Sequence, residues 1–179
     1  FYVYEVTGEG GSTTPDPEPE PDPEPTPDPE GGETFETVTI TFDADSDLGT
    51  AGTSQAPYAI TKDGVTASVS SGVYGTYNGE NHYRIYKNQT LTITSTVGNI
   101  TSVEFTCTAN DDAQYGPGCL TANAGSYTYS GATGTWTGSA SEVVFTASAA
   151  QVRATQIVVT VKKAVVDPTL PVYTIEATA

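Results

Sequence analysis

Apolar side chains alternate with threonine and other polar residues over most of this chain, and that alternation limits its fold more than any other feature. A period of two places successive side chains on opposite faces of an extended strand. In TVTITFD (37–43), Val38, Ile40 and Phe42 share one face and threonines occupy the other. No window shows a sustained helical period. The pattern therefore predicts strands with one buried face and one face in water.

Nine segments of this kind follow one another, separated by Gly, Asn, Asp and Ser. They span residues 37–43, 64–70, 82–87, 89–95, 100–108, 126–130, 134–138, 142–148 and 156–162. Short strands at regular spacing, with turn residues between them, indicate a sandwich or a barrel. A length of about 130 residues is sufficient for one core. We predict an all-β fold over residues 34–163, an antiparallel β-sandwich of jelly-roll type.

Acidic residues and prolines are concentrated before this domain. Of the 22 Asp and Glu residues, 11 lie in residues 1–36, which contain no Lys or Arg, and eight of the 12 prolines lie between Pro15 and Pro29. Proline at every second position fixes φ and removes amide donors, and the like charges repel one another. We interpret residues 11–33 as an extended polyproline II linker. A proline-motif ligand is the alternative, but the segment has no basic flank.

The two ends of the chain carry short strand-like patterns. Residues 1–10 begin with an apolar-aromatic run, which we interpret as the end of a preceding domain or an isolated strand. Residues 164–179 contain two prolines and then the alternating stretch YTIEATA. This pattern predicts a linker and the first strand of a following β-rich domain. Whether these terminal strands pair within one chain or between chains stays open.

Charge and hydropathy argue against two classes of partner. The formal net charge is -16, and residues 37–163 alone contain nine acidic and six basic residues. A surface of this composition neutralises few phosphates, so we expect no nucleic-acid partner. No apolar run approaches the roughly 18 residues that a membrane-spanning helix requires, so we expect no membrane span.

Cys107 and Cys119 are the only two cysteines. An even count in a chain with the character of an exported protein favours a disulfide between them. Two reduced thiols are the alternative. A zinc site is disfavoured because the chain has a single histidine, His82, to add to them.

An alternating acidic triplet, Asp43, Asp45 and Asp47, follows the first predicted strand. Carboxylates two residues apart in a loop can converge on Ca²⁺, which takes six to eight oxygen ligands. The triplet lacks the Glu that completes an EF-hand loop. It therefore predicts at most a structural Ca²⁺ site, with a solvated, turn-forming loop as the alternative. We expect no other cofactor.

Aromatic residues are numerous for a domain of this size, and polar residues lie close to several of them. Aromatic rings can stack on sugar faces while neighbouring amides and guanidinium groups bond the hydroxyls. We take as candidate ligand-binding residues Tyr74, Tyr77, Asn81, Tyr83, Arg84, Tyr115 and Trp136. The alternative is that these rings fill the core of the sandwich.

Catalytic motifs are missing from the sequence. It has one histidine, no HExxH or GxSxG motif, and no glycine-rich phosphate loop leading into a helix. We therefore predict that the protein is not an enzyme.

Four blocks carry a resemblance to a known kind of module. They are NHYRIYKNQTLTITS, ITSVEFTCTANDDAQYGPGC, GTWTGSASEVVFTAS and QVRATQIVVTV. Together they resemble a jelly-roll accessory module of secreted and surface proteins of gut Bacteroidota, over roughly residues 36–163. The resemblance implies a fold similar to galactose-binding-like and carbohydrate-binding modules, an extracellular or cell-surface location, and a non-catalytic role beside neighbouring domains. It supplies no binding residues.

Two hypotheses for function follow. The first is a recognition or adhesion module that binds a glycan or another surface polymer weakly. The second is a structural spacer or assembly domain of a surface or virion-like fibre, with no small ligand. Exposure of the aromatic set beside Asn, Asp or Arg favours the first hypothesis, and burial of the set favours the second.

Overall fold

The fold is given by a computed structural model, which describes residues 34–48, 58–71, 74–77 and 79–165, without the side chains of Thr76 and Tyr77. Residues 1–33 and 166–179 lie outside the described residues. The linker predicted at 11–33, the strand predicted within 1–10 and the strand predicted in YTIEATA therefore lie outside them too.

Twelve strands and one short helix make up the described part of the chain. The strands are β1 (Thr34–Asp43), β2 (Ala59–Lys62), β3 (Val65–Val69), β4 (Gly75–Tyr77), β5 (Glu80–Ile85), β6 (Thr90–Ser95), β7 (Asn99–Cys107), β8 (Leu120–Ala122), β9 (Ser126–Ser130), β10 (Thr133–Ala140), β11 (Glu142–Ala147) and β12 (Val152–Val165). Helix α1 (Ala44–Asp47) follows β1 directly, and a single 3₁₀ turn spans Pro117–Cys119.

These strands form two antiparallel sheets that pack against each other. The larger sheet has the order β4-β5-β12-β7-β10-β9, with β1 also paired to β12, and the smaller has the order β2-β3-β6-β11-β8. The chain crosses between the sheets many times before either is complete. The predicted all-β antiparallel sandwich is confirmed.

The core lies between the sheets and follows the predicted alternation. In β1, Ile40 and Phe42 are buried while Thr39 and Thr41 are exposed. Aromatic rings meet edge to face at its centre, where the Phe105 and Phe145 ring centroids are 4.8 Å apart. Such pairs add roughly 0.5–1.5 kcal/mol to the burial of the rings themselves. The threonine faces are thus the outer faces of the sandwich.

Strand β12 organises the larger sheet because it changes partner along its length. Val152–Ala154 pair with β5, whereas the stretch from Gln156 to Val165 pairs with β1. Thr155 lies between these two stretches, and on the β7 side it is the extra residue of a bulge, since Ala154 and Gln156 face consecutive residues of β7. Bulges of this kind re-aim side chains and are frequent beside functional sites.

Candidate functional site

Three of the predicted ligand-binding aromatic residues belong to the core. Tyr74, Tyr83 and Trp136 are fully or almost fully buried, with 1% of Trp136 exposed. The Trp136 indole Nε1 donates a hydrogen bond to the Ala124 carbonyl at 2.6 Å. Tyr83 and Tyr74 pack edge to face at 4.9 Å. The interpretation of these rings as a sugar-stacking surface was wrong, because each of them occupies a core-facing position.

The other predicted binding residues lie on or near the larger sheet. Tyr77 lies in β4, and its side chain is outside the described part of the chain. Tyr115 is partly buried, and the Arg153 guanidinium lies 3.8 Å from its ring centroid. Arg84 is the cross-strand partner of Arg153 and lies 5.1 Å from the Tyr86 ring centroid. These aromatic rings are therefore covered or flanked by cations of the protein itself.

The acidic triplet does not converge. Asp43 caps helix α1, because its Oδ1 accepts hydrogen bonds from the amides of Asp45 and Ser46. Asp47 points to a different set of partners, with Lys62 Nζ at 2.6 Å and the Tyr83 hydroxyl at 2.5 Å. Over the described residues, no group of three or more His, Cys, Asp or Glu side chains is arranged to hold a metal ion. The Ca²⁺ site predicted at Asp43, Asp45 and Asp47 is not formed.

Asp47 is held ionised by its neighbours. Burial would raise the pKa of its carboxyl, but hydrogen bonds from Lys62 and Tyr83, the charge of Lys62 and the amide of Asp43 together lower that pKa below its ordinary value. A buried carboxylate with these donors joins α1 to β2 and β5. Its role in the fold is structural.

The two cysteines are free thiols, so the disulfide predicted between them is not present. Both are buried. The Cys119 thiol donates to the carbonyl oxygen of Ala113 at 3.4 Å. Burial, together with the nearby thiol of Cys119, raises the pKa of Cys107 to about 12. Each sulfur therefore behaves as a small core side chain, in accordance with the alternative of two reduced thiols.

A polar cleft lies where β12 changes partner, and we refer to it as the seam cleft. Its volume is about 440 Å³, and it is lined by Asp45, Gly79, Glu80, Asn81, His82, Thr108 and Thr155. Asp45 comes from α1, Glu80 begins β5, and Thr108 follows the end of β7. The bulge residue Thr155 donates its hydroxyl to the Thr106 carbonyl at 3.2 Å. Of the predicted binding residues whose side chains the structure describes, Asn81 is the one that lines this cleft.

His82 is the most unusual group in the seam cleft. Its side chain is 2% exposed, and neither ring nitrogen has a hydrogen-bond partner among the described residues. Nε2 lies 3.5 Å from the Glu80 carboxylate. Burial, and then the charge of Arg153, lower the pKa of His82, against opposing contributions from Glu80 and Asp45. The ring is therefore neutral near pH 7, with one nitrogen that donates and one that accepts.

Little in the sequence predicts this cleft. The sequence pattern indicates no binding role for His82, Glu80, Thr108 or Thr155. Their side chains come from separate parts of the chain and are brought together by the partner change of β12. The one local signal is the cluster of polar residues in NGENH (78–82), whose last three residues begin β5.

The cleft has the chemistry of a small binding site for polar groups. It offers two carboxylates, an amide, a neutral imidazole and two hydroxyls, which together can donate to and accept from several ligand hydroxyls. A scan of family models and searches of curated proteins and solved structures returned no match. No helix within the described residues combines the length and the apolar character that crossing a membrane requires.

Proposed function

We propose that this protein is a non-catalytic recognition module of a larger secreted or cell-surface protein, and that its seam cleft binds a glycan or a similar hydroxyl-rich polymer. One observation carries the proposal. The chain enters and leaves the sandwich side by side, and the seam cleft lies near the opposite end of the same strands.

The pairing of β1 with β12 fixes this geometry. Thr34 pairs with Val165 where the chain enters and leaves, and Asp43 pairs with Gln156 at the other end. At about 3.3 Å per residue, these two ends of β1 are roughly 30 Å apart. A domain attached at one end presents its other end to a partner, whereas a domain that extends a fibre in line needs attachment points at both ends.

The seam cleft has the size and composition that weak recognition requires. Its volume of about 440 Å³ falls in the range of small-ligand pockets. A module tethered to other domains gains from effective concentration, so weak binding at each site is sufficient. The resemblance of residues 36–163 to a surface module supports the extracellular setting.

Glycan-array binding by the full chain tests the proposal. We expect binding to be lost or weakened at least fivefold in Glu80→Ala and in Thr108→Val, because both variants remove a polar group of the cleft. Both positions are exposed, so the fold should persist. Glu142→Ala is the matched control, since Glu142 is an exposed Glu on the smaller sheet. Binding that is unchanged in both cleft variants would contradict the proposal.

The structural hypothesis is the second candidate, and a specific observation favours it. The buried positions of Tyr74, Tyr83 and Trp136 remove the sugar-stacking surface that the first hypothesis had assumed. A spacer or assembly domain needs no ligand, so it should give no signal across glycan and polymer arrays. A clean absence of binding by the correctly folded full chain would favour this candidate.

A further inference from the structure

We infer that the unit held in the seam cleft is an amino sugar with a free, protonated amine beside its hydroxyls. This inference rests on the proposed function and names the class of ligand for the same site. It follows from the charges that line the cleft and from the state of His82.

Two of the described residues that line the cleft, Asp45 and Glu80, carry carboxylates. Asp45 and Glu80 are both exposed, with 75% of the Glu80 side chain accessible. Their neighbours in the acidic turn are already engaged, Asp43 as a helix cap and Asp47 with Lys62. The Asp45 carboxylate holds no partner among the described residues. Two carboxylates at one rim of the cleft attract a positively charged group of a ligand and repel a negatively charged one.

His82 supplies the second and independent observation. It is almost completely buried, it lines the cleft, and both of its nitrogens lack a hydrogen-bond partner in the described structure. A buried polar group without a partner is unfavourable by about 1–3 kcal/mol. A ligand hydroxyl beside the ring would satisfy a neutral imidazole, as donor to one nitrogen or as acceptor from the other.

The charges around His82 fit the same ligand. Glu80 and Asp45, which line the cleft, raise the pKa of His82, whereas Arg153 and Arg84, which are not among its described lining residues, lower that pKa. In an amino sugar bound in the cleft, the ammonium would therefore pair with the carboxylates. The sugar hydroxyls would hydrogen-bond to the imidazole, Asn81 and the threonines. A simple ammonium without hydroxyls can donate to one ring nitrogen of His82 but cannot accept from the other, and the carboxylate of a uronic acid would be repelled by Asp45 and Glu80.

Isothermal titration of the full chain at about pH 6 compares two sugars with the same backbone, a glucosamine tetramer and its N-acetylated form. We expect the free amine to bind about five- to tenfold more tightly, the range given by one or two exposed ion pairs. In Glu80→Gln and Asp45→Asn this preference should fall towards one, while the affinity for the N-acetylated form stays the same. Glu142→Gln should keep the preference of the unmodified chain.

A second comparison separates the cleft from general attraction to an acidic chain. Residues 1–36 carry 11 acidic side chains and attract any polycation to the same degree in every variant. Trilysine has amines but no sugar hydroxyls, so we expect it neither to displace the glucosamine tetramer nor to distinguish the unmodified chain from Glu80→Gln.

The remaining outcomes would overturn the inference in distinguishable ways. If the N-acetylated tetramer bound as tightly as the free amine or more tightly, and if the cleft substitutions weakened that binding, the inference of an amino-sugar ligand would be rejected. The proposal that the cleft binds a glycan would still hold. A preference for the amine that survives in Glu80→Gln and Asp45→Asn would assign it to the acidic segment, and the inference would fail. No binding of either tetramer or of any arrayed glycan would reject the inference and the proposed function together.

Discussion

Two aromatic rings that pack in or against the core, those of Tyr127 and Trp136, have hydrogen-bond partners for their polar atoms inside the fold. The Tyr127 hydroxyl donates to the Pro117 carbonyl at 2.9 Å, and the Trp136 indole donates to the Ala124 carbonyl at 2.6 Å. Burial of an aromatic ring is less unfavourable in free energy when its polar atom has a hydrogen-bond partner inside the fold. Buried polar atoms without a hydrogen-bond partner among the described residues include both ring nitrogens of His82 and also the Tyr74 hydroxyl, whose ring is buried without this compensation.

Trp136 should be among the most sensitive positions of the fold. We expect Trp136→Ala to lower the free energy of unfolding by about 3–5 kcal/mol, because it leaves a large cavity and an unpaired Ala124 carbonyl. Urea denaturation followed by circular dichroism measures the change. Tyr58→Ala is the control, since 65% of Tyr58 is exposed and its loss should alter stability by less than about 1 kcal/mol. Equal effects of the two substitutions would place Trp136 outside the core.

The thiols of Cys107 and Cys119 should be present but unreactive in the native protein. Because burial raises the pKa of Cys107 to about 12, almost none of it is thiolate at neutral pH, and thiolate is the form that reacts. We expect slow alkylation of the folded chain and rapid alkylation of both cysteines in urea without reductant, counted by mass spectrometry. Recovery of an unalkylated, oxidised pair from urea would instead establish a disulfide.

The lowered pKa of His82 gives the protein a pH-dependent stability. The folded state binds a proton less readily than the unfolded state, so stability is complete above the unfolded value of about 6.5 and is lost as the pH falls towards the folded value. We expect the free energy of unfolding to decrease between about pH 7.5 and 5.5. In His82→Gln the decrease should be smaller, because the contribution of His82 is gone. The carboxylates contribute equally in both proteins. A slope that the substitution leaves unchanged would contradict a buried, neutral His82.

At the scale of single elements, the turn from β1 into α1 combines a local helix cap with contacts to residues that are distant in sequence. Asp43 caps the helix, as a short acidic turn predicts, and Asp47 then reaches Lys62 and Tyr83. The capping follows from residues three apart. The ion pair and the tyrosine bond depend on strands that lie far along the chain. The structure thus agrees with the turn-forming alternative and not with a Ca²⁺ site.

Tyr83→Phe tests the contribution of that tertiary contact. The substitution keeps the buried ring and removes one hydrogen bond to a carboxylate, so we expect the free energy of unfolding to fall by about 1–2 kcal/mol. The same change at an exposed ring, Tyr86→Phe, should have little effect. Chemical denaturation of the two variants in parallel measures the difference. A loss as small in Tyr83→Phe as in Tyr86→Phe would show that the bond to Asp47 contributes nothing net.

Strands with long alternating patterns were predictable from the sequence, and short ones were not. All nine predicted segments overlap strands, whereas β2, β4 and β8 were missed. These three have only three or four residues each, too few to display a period. The bulge at Thr155 and the partner change of β12 depend on register with β1, β5 and β7, and no local pattern contains that information. The seam cleft was missed for the same reason.

At the scale of the whole molecule, the placement of the first and last described strands determines what the domain can present. Ten residues of β1 pair in register with β12, without a break from Thr34 to Asp43. The first and last described residues therefore lie at one end of the larger sheet, and α1, the bulge and the seam cleft lie near the other. Sequence alone predicted the class of fold but not this arrangement, because alternation specifies which face is buried and not which strand is its neighbour.

A designed disulfide tests this arrangement directly. Glu36 and Lys163 are cross-strand partners, both exposed, with Lys163 Nζ 3.4 Å from the Glu36 carboxylate. Cα atoms of antiparallel partners are about 4.5–5.5 Å apart, which suits a disulfide. We expect E36C/K163C to oxidise readily in air and to raise the free energy of unfolding by up to about 4 kcal/mol, since the bond closes a long loop. Mass spectrometry and urea denaturation measure the two effects, and E36C/K87C, whose second position is an exposed turn, should not close.

The same crosslink separates the two ends of the domain. Because it lies near the end where the chain enters and leaves, roughly 25 Å from the seam cleft, it should leave glycan binding unchanged while Glu80→Ala in the same oxidised protein removes it. A crosslink that fails to form would show that β1 does not lie beside β12, and the presentation of the cleft at a free end would lose its basis. A crosslink that forms and abolishes binding would instead place the ligand near the attached end of the sheet.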